Sequence, residues 1–182
     1  MEASAQPLDL DTIGRLFEQH GDRVYGYCLR VLGCEHDAAD ATQDAFMNLA
    51  RRGVGAARDD DALRFYLFST ARNACFDLRR RRRGDASLEA LRDAGADLDR
   101  APLEPRSEPE QRALDNAARA AVFGALATVP ERQRTAFVLR ELGGLTYDEL
   151  AEQLGMNANA VAQLLHRARR ALQVALPVAA YN

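Results

Sequence analysis

The chain's 182 residues allow one ordinary domain or two small ones, and a hydrophobic content of 47% supports a folded protein and excludes a wholly disordered one. All 24 basic residues are arginine, and the formal net charge of -3 hides where they sit, which is what decides whether they meet phosphates. No apolar stretch approaches the roughly 18 residues of a membrane span, and the first residues lack a basic start followed by an apolar run, so a soluble, cytoplasmic protein is expected.

Abundant Ala, Leu and Arg with few β-branched runs point to an all-α chain. Ile13, Leu16, Phe17, Val24, Cys28, Val31 and Leu32 recur at helical spacing, which predicts an amphipathic helix over 12–32, ended by Gly33. A second helix over 37–52 turns Ala38, Ala41, Thr42, Ala45 and Leu49 to one side. A third over 61–83 buries Leu63, Leu67, Ala71, Ala74 and Leu78. Three such stripes can close one bundle, giving a first domain over 1–83.

Residues 84–109 change character. Gly84, Pro102, Pro105 and Pro109 interrupt them, apolar periodicity fades, and acidic residues outnumber basic ones seven to three. A flexible acidic linker is expected here.

Periodicity resumes through Leu114, Ala118, Ala121, Val122, Ala125 and Leu126, opening a second domain over 110–182. Pro130 suits the first turn of a further helix, which runs to Leu142 and stops at Gly143 and Gly144. Thr146 and Glu149 are spaced as a capping box for a short helix to Leu154. Gly155 makes a turn, and a last helix over 157–176 points Val161, Leu164, Leu165, Ala168 and Leu172 inward. Two helices joined by a short glycine-containing turn form a helix-turn-helix, so the expected architecture is two small helical domains, the second carrying that motif.

Three surfaces carry the candidate chemistry. On the last helix Asn159, Gln163, His166, Arg167 and Arg170 point away from the core, and no acid occurs between Asn157 and Gln173. Amides can pair with adenine edges and arginines with phosphates, which suits a major groove. On the third helix Phe65, Phe68, Ser69, Arg72, Asn73 and Phe76 lie opposite Leu67 and Ala74 and lead into the run Arg79 to Arg83. Rings, an amide and a positive track are what unstacked bases require, although the same rings can pack on another helix. On the second helix Asp40, Gln43, Asp44 and Met47 form an acidic and amide stripe that suits a protein partner more than DNA.

Cys28, Cys34 and Cys75 form no CxxC pair, and an odd count in a chain without a signal peptide fits a reducing compartment. Cys28 and Cys75 read as small core residues. His20, Cys34 and His36 match no zinc spacing, so no metal and no cofactor is expected. No nucleophile with a positioned base and no phosphate-cradling glycine loop is present, so the chain is not expected to be an enzyme.

Together these segments resemble the sigma-70 family, in particular its short extracytoplasmic-function group. DAADATQDAF at 37–46 and FYLFSTARNACFDLRRRR at 65–82 are similar to the group's second conserved region; VPERQRTAFVLRELGGLTYDELAEQLG at 129–155 and AVAQLLHRARRAL at 160–172 are similar to its fourth. The resemblance implies an alternative sigma factor that binds core RNA polymerase and directs promoter recognition, melting and initiation, commonly under an anti-sigma protein. It implies that Asp40, Gln43, Asp44 and Phe46, with Met47 beside them, dock on the polymerase. Asn73 would help hold a flipped base of the minus-ten element, with Phe65, Tyr66, Arg72, Phe76, Arg79 and Arg80 around it. Gln163 and His166 would read the minus-thirty-five element, joined by Arg140, Thr146, Asn159, Arg167 and Arg170. The linker would thread towards the polymerase cleft. Tyr66 stands where the family usually has tryptophan, Ser69 replaces a common arginine, and Ala162 and Leu164 sit where basic residues are frequent. A plain helix-turn-helix regulator, in which residues 1–83 sense a ligand or dimerise, is the competing reading of the same helices.

Overall fold

The computed structural model of the chain describes residues 7–53, 59–85 and 109–176. Among them are seven helices and no strand: α1 (Leu10–Leu32), α2 (Glu35–Arg52), α3 (Asp60–Asp85), α4 (Pro109–Thr128), α5 (Glu131–Gly143), α6 (Tyr147–Leu154) and α7 (Ala158–Ala175). The expected linker lies outside the described residues over 86–108; its first two residues and Pro109 belong to helices.

The helix ends follow from local chemistry. Asp9 opens α1 by accepting from the Thr12 N–H at 2.7 Å, and Gly33 closes it at φ 71°, a left-handed conformation that costs only glycine nothing. In the first domain α2 packs on both α1 and α3. Leu16, Val24, Ala38, Ala41, Ala45, Leu49, Leu63, Leu67 and Ala71 are all buried there, so the stripes of the three helices face one another. Cys28 and Cys75 are buried too. Their hydrogen-bonded contact and burial push the Cys75 thiol far above its ordinary range, as expected of a protonated core residue.

In the second domain α7 packs on α4, α5 and α6 through Val161, Leu165, Ala168 and Leu172. Ala118 and Ala121, expected inward, are exposed; among the α4 side chains described, from Ala117 on, the buried ones are Ala125 and Leu126.

Two aromatic rings also depart from expectation. Phe17 is 58% exposed and lies on Phe46, ring centroids 5.2 Å apart, because it sits one residue outside the α1 stripe that Leu16 and Val24 define. Phe68, expected to face outward, is fully buried, because the turn at the end of α5 covers it. The two domains therefore touch: α5 lies against α1 and α3.

Candidate nucleic-acid interface

α3 is amphipathic in an uncommon way, with an apolar inner stripe and rings on its outer side. Tyr66 is 41% exposed, Phe76 is 59% exposed and Asn73 is exposed between them, while Leu63, Leu67 and Ala71 are buried behind. At about 1.5 Å rise per residue, Tyr66 and Phe76 stand roughly 15 Å apart along the helix with the amide between them. Arg72 donates to the Asn73 Oδ1 at 3.0 Å, which engages the carbonyl side of this exposed amide. Phe65 is half-buried, its ring 5.4 Å from that of Tyr66. Arg79 pairs with Glu131 at 3.1 Å and Arg80 with Asp77 at 3.2 Å. The structure thus brings Tyr66, Arg72, Asn73 and Phe76 to one accessible face and engages Arg79 elsewhere.

The helix-turn-helix is built by its caps. Thr146 accepts from the Glu149 N–H at 3.2 Å while the Glu149 carboxylate accepts from the Thr146 N–H at 2.6 Å, so the expected capping box is complete. Gly155 turns the chain at φ 63°, and the Asn157 side chain accepts from the Ala160 N–H at 2.8 Å to start α7. Asn159, Gln163, His166, Arg167 and Arg170 are all exposed along α7. Arg169 leans back to Glu141 at 3.6 Å. Arg140 donates to the Leu145 carbonyl and lies over the Tyr147 ring at 5.4 Å, where it braces the turn before α6. Thr146→Ala should cost about 1 kcal/mol by removing half of the box. Thermal unfolding of the full chain should then fall by roughly 2–4 °C, and an unchanged midpoint would show that the box stabilises nothing.

On α2, Asp40, Gln43, Asp44 and Met47 are exposed, with the Gln43 amide 3.8 Å from the Met47 sulfur and His36 3.7 Å from Asp40. Thr42 donates to the Ala38 carbonyl at 2.7 Å behind them. Phe46 is buried, so the ring that this surface presents is Phe17, which rests on it. Helical periodicity alone placed Phe17 in the core; its position one residue from Leu16, at the edge of the stripe, was the available signal.

Among the described residues no group of three or more His, Cys, Asp and Glu gathers as a metal site, and no helix is long and apolar enough to cross a membrane.

Residues 16–84 match the family described as Sigma-70 region 2, and residues 119–172 the family described as Sigma-70, region 4. The ECF RNA polymerase sigma factor SigE of Mycolicibacterium smegmatis is 33% identical over 94% of this chain and 64% of its own length. The ECF RNA polymerase sigma-E factor of Escherichia coli K12 is 31% identical over 75% of this chain and 72% of its own. Among solved structures, the sigma factor RpoE from Bartonella quintana, crystallised in complex with the anti-sigma factor NepR, shares the fold. It has a TM-score of 0.70 and 20% identity, and the match covers 91% of this chain and 96% of that one. The chain thus spans somewhat under two thirds of the length of the SigE relative.

Proposed function

Because the chain belongs to the sigma-70 family, in its extracytoplasmic-function group, we propose that it binds core RNA polymerase and directs it to promoters, where it helps open the duplex. One observation carries this reading: α3 exposes Tyr66, Asn73 and Phe76 while burying its apolar stripe, which leaves rings and an amide where an unstacked strand can reach them. A base extruded from the minus-ten element stacks on an aromatic face and pairs with the outward amide. α7 enters the major groove upstream, with Gln163 and His166 at base edges and Arg167 and Arg170 at phosphates. The α2 stripe of Asp40, Gln43 and Asp44, with Met47 and Phe17 at its edge, docks on the polymerase, which performs the chemistry. The chain itself therefore needs no catalytic group, and it works in the cytoplasm. Restraint by an anti-sigma protein is part of the same reading, since blocking either the α2 or the α3 face suffices to silence it.

Transcription from protein-free genomic DNA by purified core polymerase, with RNA 5′ ends mapped, tests this. Addition of the chain should create discrete starts that share upstream elements. A regulator acting on DNA alone would leave the core enzyme's starts as they were.

A phosphate role for Arg167 has its own signature. Arg167→Ala should weaken binding of the holoenzyme to all promoters alike and reduce the slope of log affinity against log salt by about 0.9. A change at one base position only would make it a base reader instead.

A further inference from the structure

Asp37 opens the segment DAADATQDAF, yet it does not share the outer face of Asp40, Gln43 and Asp44. It stands in the first turn of α2 with its side chain only 10% exposed and its Oδ2 shut off from solvent, and the group it meets is the Arg82 guanidinium near the end of α3. A carboxylate this far removed from water is costly unless it is paired, which sets Asp37 and Arg82 apart from the exposed ion pairs of the surface.

What the pair holds is the arginine run. Among the described side chains of α3, Cys75 is the last buried one and Leu78 the last apolar one packed on the core in part, while the helix goes on to Asp85. Beyond Leu78 come Arg79, Arg80, Arg81, Arg82 and Arg83, whose like charges at three- and four-residue spacing work against a helix. Arg79 leans to Glu131 of α5, and Arg80 to Asp77 within α3. Among the described residues, Arg82 with Asp37 is the ion pair that ties the run to another helix of its own domain.

The anchor also fixes a direction. At about 100° per residue, Arg80 points roughly 160° round α3 from Arg82, within about 20° of Asn73 and about 40° of Tyr66. With Arg82 turned in to Asp37, Arg80 is turned out in line with the ring and the amide assigned above to the promoter strand, and it is exposed there. Asp77 does not keep a phosphate away from it, because an exposed pair of this kind contributes little.

We propose that Asp37 is a positioning residue for strand binding: by holding Arg82 against α2 it keeps the last turns of α3 ordered and presents Arg80 to a backbone phosphate of the unpaired strand. This rests on the reading of α3 as the strand face. Asp37 itself touches no nucleic acid. Net charge alone predicts the opposite effect, since an acid beside a cationic track repels phosphate and its removal should tighten binding.

The test follows holoenzyme, formed from core polymerase and the full chain, as it binds a labelled unpaired strand that spans the minus-ten element of a promoter mapped as above, over a range of salt. Asp37→Asn should weaken binding about tenfold, as loss of one hydrogen bond to a charged group does. It should also reduce the slope of log affinity against log salt by about 0.7, the share of one phosphate of a single strand. Arg82→Gln breaks the same pair from its exposed end and serves where Asp37→Asn folds poorly. It should lose as much, and the double variant no more than either. Backbone amides over 79–85 should exchange faster in both. Tighter binding by Asp37→Asn overturns the proposal, as does a lower unfolding midpoint with affinity and slope unchanged. Additive loss in the double variant overturns it too, because Arg82 is then a phosphate contact in its own right. Tyr66→Ala and Arg80→Ala, each in the otherwise wild-type chain, separate the premise from the inference. Affinity untouched by both removes α3 as the strand face and the positioning role with it. Affinity lowered by Tyr66→Ala, with Arg80→Ala or Asp37→Asn without effect, leaves the face standing and removes only the role of Asp37.

Discussion

Asn73→Ala is expected to lower transcription from duplex promoters by about 5- to 150-fold, the equivalent of roughly 1–3 kcal/mol for one well-placed amide–base pairing. The side chain is exposed and Arg72 holds its carbonyl oxygen, which limits how the amide can turn and favours its N–H groups as the donors to a base. No buried contact is lost, so the fold should stand and affinity for core polymerase should be unchanged. A template already unpaired across the start region should recover most of the output, because capture of an extruded base is then less demanding. Loss of core association in this variant would move Asn73 out of the strand face. Equal defects on duplex and unpaired templates would assign it to a later step.

Asp40→Arg combined with Gln43→Ala is expected to weaken competition for core polymerase by about 30-fold or more. That is the lower end of the roughly 2–5 kcal/mol that loss of one member of an interfacial charge pair costs. α2 offers these side chains from a rigid base, since Ala38, Ala41 and Ala45 are buried beneath them and Thr42 is tied to the Ala38 carbonyl. Both substituted side chains are exposed, so the unfolding free energy should stay within about half a kcal/mol of the wild type. Undiminished competition against labelled wild-type chain would remove the α2 stripe as the docking face. Phe17→Ala should act in the same direction if the exposed ring on Phe46 belongs to that surface.

Local chemistry made most of the fold legible. The stripe Leu63, Leu67, Ala71 and Ala74 announces α3 because helical period and burial coincide there. The Thr146–Glu149 box and Gly155 announce α6 and its turn because caps are encoded within four residues. The exposed face of α7 followed from the same periodicity, and its freedom from acids is plain in the sequence. What escaped was set by contacts between distant segments. Phe68 has the period of an outer residue of the first bundle, and nothing near it in sequence says that the end of α5 will cover it. Arg64 meets Gly143 across 79 positions and Gln153 meets Phe65 across 88, separations at which no periodicity or capping pattern carries information. Phe17 and Phe46 exchanged roles for a smaller reason: each borders its stripe, and only packing decides which ring is covered.

The strand face of α3 is tested most directly by placing 2-aminopurine at successive positions of the minus-ten element and following its fluorescence as holoenzyme is added. The expected result is a strong rise at one position, as that base leaves the stack, diminished by Tyr66→Ala and by Asn73→Ala. Fluorescence that stays quenched at every position while the same complexes make RNA would contradict the account.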